Sequence, residues 1–293
     1  MDFESQPLHR QIYARQILAK AGVGANHRLL AAFATVPREQ FVGPPPWVYN
    51  DFRNYRELAS TDPLVLYQDV LVGLDTARGV NNGMPSLHAG GLHALGIRDG
   101  ETVAHLGAGT GYYTAIIAEL VGPSGRVIAV EYDEALAEKA RQNLAGYANV
   151  ELVRGDATEW PNEDADVIYA NFALDHPPPA WIDNLAVSGR ALFPLGYPAL
   201  ENGRRGGFTG RAGFLMIDRR AKGFGAKFLQ PVSFVWAEGQ QPPPPGRHEG
   251  LAEAFRLRRG YQVRSLRWHR PPQEGEWYGE EDWGLSFEEV GGE

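Results

Sequence analysis

The sequence predicts an α/β fold: a doubly wound, mostly parallel seven-stranded sheet of Rossmann-like type, preceded by a helical lobe and followed by an extension. Three observations carry this. From Glu101 onward, short apolar runs alternate with helix-patterned stretches at the spacing of right-handed βαβ units. The first run, Val103-Ala104-His105-Leu106, ends in Gly107-Ala108-Gly109-Thr110-Gly111, where a strand turns tightly into a helix. Two late apolar runs, 214–217 and 228–235, flank a polar, glycine-bearing segment and predict an antiparallel pair that closes the sheet.

Composition narrows the function classes. The 293 residues are 43% hydrophobic and 22% charged, as in an ordinary soluble globular chain. A net charge of −8 makes the chain a poor non-specific partner for nucleic acid or an anionic membrane. With no cysteine there is no disulfide, thiolate nucleophile or Cys-ligated zinc, which fits a reducing compartment, and no metal is expected. Met1-Asp2-Phe3-Glu4-Ser5-Gln6 has neither a basic start nor an apolar core, so no signal peptide is expected. No apolar run approaches the ~20 residues of a membrane span. A cytoplasmic location is the expectation.

Taken in order, Ile12, Ile17 and Leu18 lie on one face of a helix over 8–21, and Asn26 can cap a second helix that buries Leu29, Leu30 and Phe33. Gly43-Pro44-Pro45-Pro46 breaks the pattern, and 47–80 reads as an irregular lobe. Val80-Asn81-Asn82-Gly83-Met84-Pro85 is a turn entering a helix that Gly96 ends. Strands are predicted at 102–107, 126–131, 149–154, 166–171 and 191–195, and helices at 112–121 and 134–145. The run 240–246, rich in proline, reads as a linker. Beyond it a helix at 250–258 and a strand at 261–268 precede an acidic, aromatic-bearing end, read as a small subdomain that frays. The division expected is a lobe at 1–98, a core at 99–239 and a linker with extension at 240–293.

Ligands of an open parallel sheet bind at the carboxyl ends of its strands. Gly107, Gly109 and Gly111 end the first strand; Glu131, followed by Tyr132, ends the second; Gly155-Asp156 follows the third. A carboxylate at Glu131 can accept both ribose hydroxyls, and one at Asp156 can accept from an adenine amine. Tyr112 stands where a dinucleotide fingerprint needs its third glycine, and no Walker lysine follows. G-x-G-x-G with an acid about 20 residues on is the S-adenosyl-L-methionine pattern.

Several segments resemble the protein-L-isoaspartate O-methyltransferase family, of the class I S-adenosylmethionine-dependent methyltransferases. Val36-Pro37-Arg38-Glu39-Gln40-Phe41-Val42 is similar to its VPRE-x-FV segment, and Met84-Pro85-Ser86-Leu87-His88-Ala89 to the segment before its first strand. Asp166-Val167-Ile168-Tyr169-Ala170, the run 186–196 and Gln230-Pro231-Val232-Ser233-Phe234-Val235 resemble its fourth strand, its fifth strand and its closing strand. The resemblance covers residues 26–236. It implies donor contacts at Asn81, Asn82, Gly83, His88, Thr110, Glu131, Gly155 and Asp156, and a divergent member that methylates a protein or peptide carboxylate, as in isoaspartate repair. Two departures stand out. Gly83 occupies the place of the family's hydroxyl residue, which is associated with the isoaspartyl substrate. His105 stands where the family usually carries an acid before Leu106-Gly107.

A carboxylate acceptor, with a reference pKa of about 4, needs no general base, so positioning and exclusion of water do the work. The acceptor is expected between the 80–88 loop and the 171–178 loop, beside Asn82, Gly83 and Asn171. Asn171 can donate to an acceptor oxygen or merely tie its loop. His176 is expected to face solvent, or to act as a base if the acceptor were a hydroxyl or amine. The alternatives are another acceptor, a modified peptide or small metabolite, and a module that binds the donor without turnover.

Overall fold

In the computed structural model, which describes residues 3–51, 54–201 and 204–290, the chain forms two compact units. The first comprises Met1–Val103 with Ala108–Gly155, and the second Ala104–Gly107 with Asp156–Glu293. Met1 and Asp2 of the N-terminal stretch read above, and the last three residues of the acidic end, lie outside the described residues.

The first unit opens with α1 (Leu8–Lys20) and α2 (His27–Thr35). Asn26 caps α2, its Oδ1 accepting from the Leu29 N–H at 3.0 Å. The run 47–81 is more regular than expected. β1 (Val48–Asn50), β2 (Tyr55–Glu57), β3 (Leu71–Asp75) and β4 (Val80–Asn81) form an antiparallel sheet in the order β2-β1-β3-β4. These strands have two to five residues, too few to show an alternating pattern. Trp47, Leu66 and Val72 pack a small core beneath them.

α3 (Pro85–Leu95) carries proline in its first turn and ends on Gly96, as expected. β5 (Thr102–Leu106) begins in the first unit and ends in the second. α4 (Tyr112–Val121) is apolar and buried almost all round. β6 (Arg126–Glu131), α5 (Glu134–Asn143) and β7 (Val150–Arg154) complete a parallel βαβ unit, with Glu131 paired to Arg154 in the register.

In the second unit β8 (Ala165–Ala170) is followed by α6 (Pro179–Asp183), β9 (Leu185–Glu201), β10 (Arg204–Arg220) and β11 (Gly223–Val232). Beyond 240 come α7 (Arg247–Arg256), β12 (Ser265–Trp268), β13 (Glu276–Gly279) and β14 (Trp283–Ser286). The strand order in this unit is β13-β14-β12-β11-β10-β9-β8-β5. β9 runs parallel to β8, and the strands from β9 to β13 pair antiparallel. The seven expected strands are therefore β5 to β11, and the extension adds β12, β14 and β13 to the sheet edge. β9 and β10 also extend beyond their apolar centres, where Phe193, Leu195, Phe214 and Leu215 are buried. No helix among the described residues is long and apolar enough to cross a membrane.

Candidate active site

In the first unit the turn after β5 closes through the Gly111 N–H, which donates to the Ala108 carbonyl at 2.9 Å. Gly109 has φ +58°, and a Cβ there would meet nothing within 4 Å, so open space lies over this backbone. Its N–H donates to Oε2 of Glu131 at 2.7 Å, and the Asp133 N–H donates to Oε1 at 2.9 Å. Glu131 is 8% exposed. Burial pushes its carboxyl above the usual glutamate range, against the pull of the Asp133 and Gly109 N–H groups. Each oxygen keeps a second lone pair, so the carboxylate is oriented and can still accept two hydroxyls. The Gly155 N–H donates to the Glu131 carbonyl at 3.1 Å, which brings Gly155 beside it, while Tyr132 is half exposed.

Thr110 is turned inward. Its hydroxyl donates to the Phe41 carbonyl at 2.5 Å, and its own carbonyl accepts from Asn143 Nδ2 at 2.9 Å. It ties the glycine turn to the turn Arg38–Phe41 and has little left for a ligand.

The loop after β4 is built on a residue that sequence reasoning left without a role. Arg38 is fully buried. Its guanidinium donates to the carbonyls of Leu66, Gln68 and Val70, each at 2.6 Å, and to Asn82 Oδ1 at 3.2 Å. Asn82 Oδ1 also accepts from the Val72 N–H at 3.2 Å, which points the amide nitrogen the other way. That buried Nδ2 has no partner among the described residues. Asn81 holds the next bend, its Oδ1 accepting from the Gly83 N–H at 2.9 Å.

Gly83 and His88 form one packed feature. The His88 ring is 2% exposed and stacks on Tyr113, with centroids 3.8 Å apart and planes 15° apart. Gly83 has φ +73°, and a Cβ built on it would lie 2.1 Å from His88 Nε2. A side chain at position 83 therefore has no room here, because the imidazole fills the space.

In the second unit, Gly107 lies against Phe172, whose ring a Cβ at 107 would strike. The Asn171 N–H donates to the Leu106 carbonyl at 2.9 Å, and Asn171 Nδ2 lies 2.7 Å from His105 Nε2. His105 is fully buried, which pushes its pKa down to about 3, and it stacks on Tyr169. A neutral imidazole nitrogen accepts from the amide, so Asn171 turns its carbonyl oxygen outward. The expected donor to an acceptor oxygen is thus committed to His105. Asp156 caps the short turn Ala157–Glu159: its Oδ1 accepts from the Thr158 N–H at 2.9 Å and hydroxyl at 2.8 Å. Gln240 Nε2 lies 3.4 Å from the other oxygen.

His176 does not stand in solvent. Its Nδ1 is 2.6 Å from Asp175 Oδ1 and 3.1 Å from Arg247 Nη1. Asp175 also meets His248 Nε2 at 2.7 Å and Arg247 Nη1 at 3.2 Å. Arg247 in turn forks onto Glu280 at 2.6 and 2.5 Å. Burial alone would raise the Asp175 pKa; His176, Arg247 and His248 outweigh it and hold the carboxyl at about 2. The extension is thereby bonded to the loop after β8. Partners 72 and 73 positions away left no local sign of this.

Residues 13–204 match the family model for protein-L-isoaspartate(D-aspartate) O-methyltransferase. A protein-L-isoaspartate O-methyltransferase of Aeropyrum pernix is 37% identical over 190 residues, 63% of this chain and 66% of that protein. One of Ignicoccus hospitalis is 30% identical over 229 residues, 75% of this chain and 93% of that protein. The chain spans about half to two thirds of the length of the Aeropyrum relative and of relatives from Archaeoglobus fulgidus and Thermotoga maritima: 66%, 48% and 53%. A Plasmodium falciparum structure described as a protein-L-isoaspartate O-methyltransferase in complex with S-adenosyl-L-homocysteine aligns at a TM-score of 0.60. It shares 17% identity over 79% of this chain and 99% of that one, a likeness of fold.

Proposed function

The chain belongs to the protein-L-isoaspartate(D-aspartate) O-methyltransferase family, and on that premise we propose that it transfers a methyl group from S-adenosyl-L-methionine to a carboxylate of a protein or peptide. The observation that carries this reading is Glu131, a buried carboxylate held by two backbone N–H groups beside the open turn at Gly109. That arrangement suits the two hydroxyls of a ribose. The relatives' names, and the S-adenosyl-L-homocysteine in the Plasmodium structure, support the same donor.

The donor supplies an electrophilic methyl on a sulfonium. A carboxylate oxygen attacks that methyl in line as the carbon–sulfur bond breaks, and the electron pair stays on sulfur. The positive charge disappears in the step, so the protein's task is alignment and exclusion of water. Asn82, with its unpartnered buried amide hydrogens, is the residue we assign to the acceptor side of the first unit.

A second reading, another acceptor such as a modified peptide or small metabolite, is favoured by one observation. Gly83 stands where the hydroxyl residue associated with isoaspartyl substrates is expected, and a side chain at that position would strike the His88 imidazole. Calorimetric titration with S-adenosyl-L-homocysteine, followed by radiolabelled methyl transfer to an isoaspartyl peptide, separates the readings. Binding with transfer is the expected result. Binding without transfer to that peptide would sink isoaspartyl repair and leave the second reading; no binding would sink both.

A further inference from the structure

Asp133 stands two residues after Glu131 in the first unit. Its N–H donates to Glu131 Oε1 at 2.9 Å, and its Oδ1 caps α5 by accepting from the Leu136 N–H at 2.9 Å. Its Oδ2 lies 2.5 Å from Arg78 Nη1, a partner 55 positions earlier in the chain. Arg78 belongs to the same unit and sits in the tip, 76–79, between β3 and β4. That tip is tied down. The Gly79 carbonyl accepts from the Tyr55 hydroxyl at 3.1 Å and from Asn81 Nδ2 at 3.2 Å, and the Arg78 N–H donates to Asp75 Oδ1 at 3.4 Å. The side chains of Arg78 and Asp133 are 39% and 21% exposed, and a pair at that depth contributes little to stability. Its place is what distinguishes it, because it fastens the residue whose N–H orients the Glu131 carboxylate.

The pair also answers a charge. Asp133 puts a second carboxylate beside Glu131. Burial raises the Glu131 pKa, and the Asp133 charge adds to that rise. A protonated carboxyl turns one oxygen into a donor and accepts two hydroxyls less well. The Leu136 N–H and the Arg78 guanidinium hold the Asp133 carboxyl below the usual aspartate range, and the guanidinium offsets its charge. The other charges around this corner are Asp75, 3.7 Å from Arg78, and Arg154, the register partner of Glu131 on β7, which lies 2.9 Å from Glu134. We propose that Arg78 is a positioning residue for the methyl donor: by fixing and neutralising Asp133 it holds the Glu131 carboxylate ready for the two ribose hydroxyls. This rests on the donor reading of the preceding subsection and adds to it a residue that acts through Asp133.

The experiment measures the binding of two probes to the full chain by calorimetry, at low salt and across the acid range. S-adenosyl-L-homocysteine carries both ribose hydroxyls, and its 2′,3′-dideoxy analogue lacks them. Arg78→Met should weaken S-adenosyl-L-homocysteine about two- to fivefold at neutral pH, a loss that shrinks at high salt, and should leave the dideoxy analogue unchanged. The fall in affinity on acidification should move to higher pH in Arg78→Met, where the Asp133 charge is left uncompensated. It should move to lower pH in Asp133→Asn, which keeps the cap and drops the charge. The double variant should follow Asp133→Asn, since the two changes remove one interaction. Arg78→Lys, which keeps the charge, should hold the profile of the unaltered protein. Equal loss of both probes in Arg78→Met, or an unchanged affinity and profile, overturns the inference while the donor reading stands. A shift in the same direction in Arg78→Met and Asp133→Asn overturns it too. If the unaltered protein binds neither probe, the donor reading falls and the inference with it.

Discussion

Adding a single methyl group at Gly83 tests whether the loop and the imidazole beneath it are one packed unit. In Gly83→Ala the new Cβ would stand 2.1 Å from His88 Nε2 and 2.8 Å from Cδ2. Ordinary carbon contacts are about 3.5–4.0 Å, so the ring would have to retreat by roughly 1.4 Å. It has nowhere to go, being 2% exposed and stacked at 3.8 Å on Tyr113. Overpacking of this kind costs about 1–3 kcal/mol, and a left-handed φ on a residue with a Cβ adds roughly 1–2 kcal/mol. The expected loss is about 2–5 kcal/mol in urea unfolding. A four-way comparison of the unaltered protein, Gly83→Ala, His88→Ala and the double variant separates the two parts. Removing the ring relieves the clash and leaves the backbone cost, so the pair should couple by about 1–3 kcal/mol. A loss below ~0.5 kcal/mol in Gly83→Ala, or strictly additive effects, would refute the argument that His88 fills the space of a residue-83 side chain.

Arg38→Met leaves the carbonyls of Leu66, Gln68 and Val70 without their donor, and should cost roughly 3–5 kcal/mol; a thermal melt showing under about 1 kcal/mol would contradict its role. For Asp175 the sign follows from a folded pKa held at about 2, below the ordinary aspartate value. Its stabilisation is full above that ordinary value and is lost as pH falls from about 4 to about 2. Asp175→Asn should therefore cost about 2 kcal/mol at neutral pH, and the gap to the unaltered protein should close over that window; a pH-independent gap would be the wrong result. The Glu131 pKa is raised by burial, so affinity for S-adenosyl-L-homocysteine should begin to fall on acidification at a higher pH than an ordinary glutamate allows. Glu131→Gln should bind about tenfold more weakly and lose that pH dependence, and a flat profile for the unaltered protein in calorimetry across the acid range would be the contrary result.

The elements that periodicity exposes were legible. β6, α4 and α5 lie within a residue or two of their expected bounds, because each buries a long apolar face or run. The sheet of β1 to β4 was not, since strands this short carry no alternation and lean on Arg38 and a local core. Nor was the joining of the extension to the main sheet edge. β12 pairs with β11 through Phe224 with Leu266 and Gly225 with Ser265, a register no local signal announces. Around the candidate site, residue types and spacing pointed to Glu131 and the glycine turn. What they could not convey were relations of position: a ring filling the space above Gly83, and a histidine deciding which end of the Asn171 amide faces outward.

The carboxylate of Asp175 also sets a timetable for folding. Its bond to His248 spans 73 positions, and Glu280 lies further still along the chain. A ribosome adding ~5–20 residues per second delivers Arg247 and His248 roughly 4–15 s after Asp175 itself, and Glu280 roughly 5–21 s after it. During synthesis the loop after β8 thus leaves the ribosome with His176 beside Asp175 but without Arg247 and His248, which arrive with the extension. Chains stalled before Arg247 should be cleaved by protease within 171–178, and chains stalled well beyond Glu280 should resist. The late-made extension is in this sense the last fastening of a loop whose own residues were made long before it.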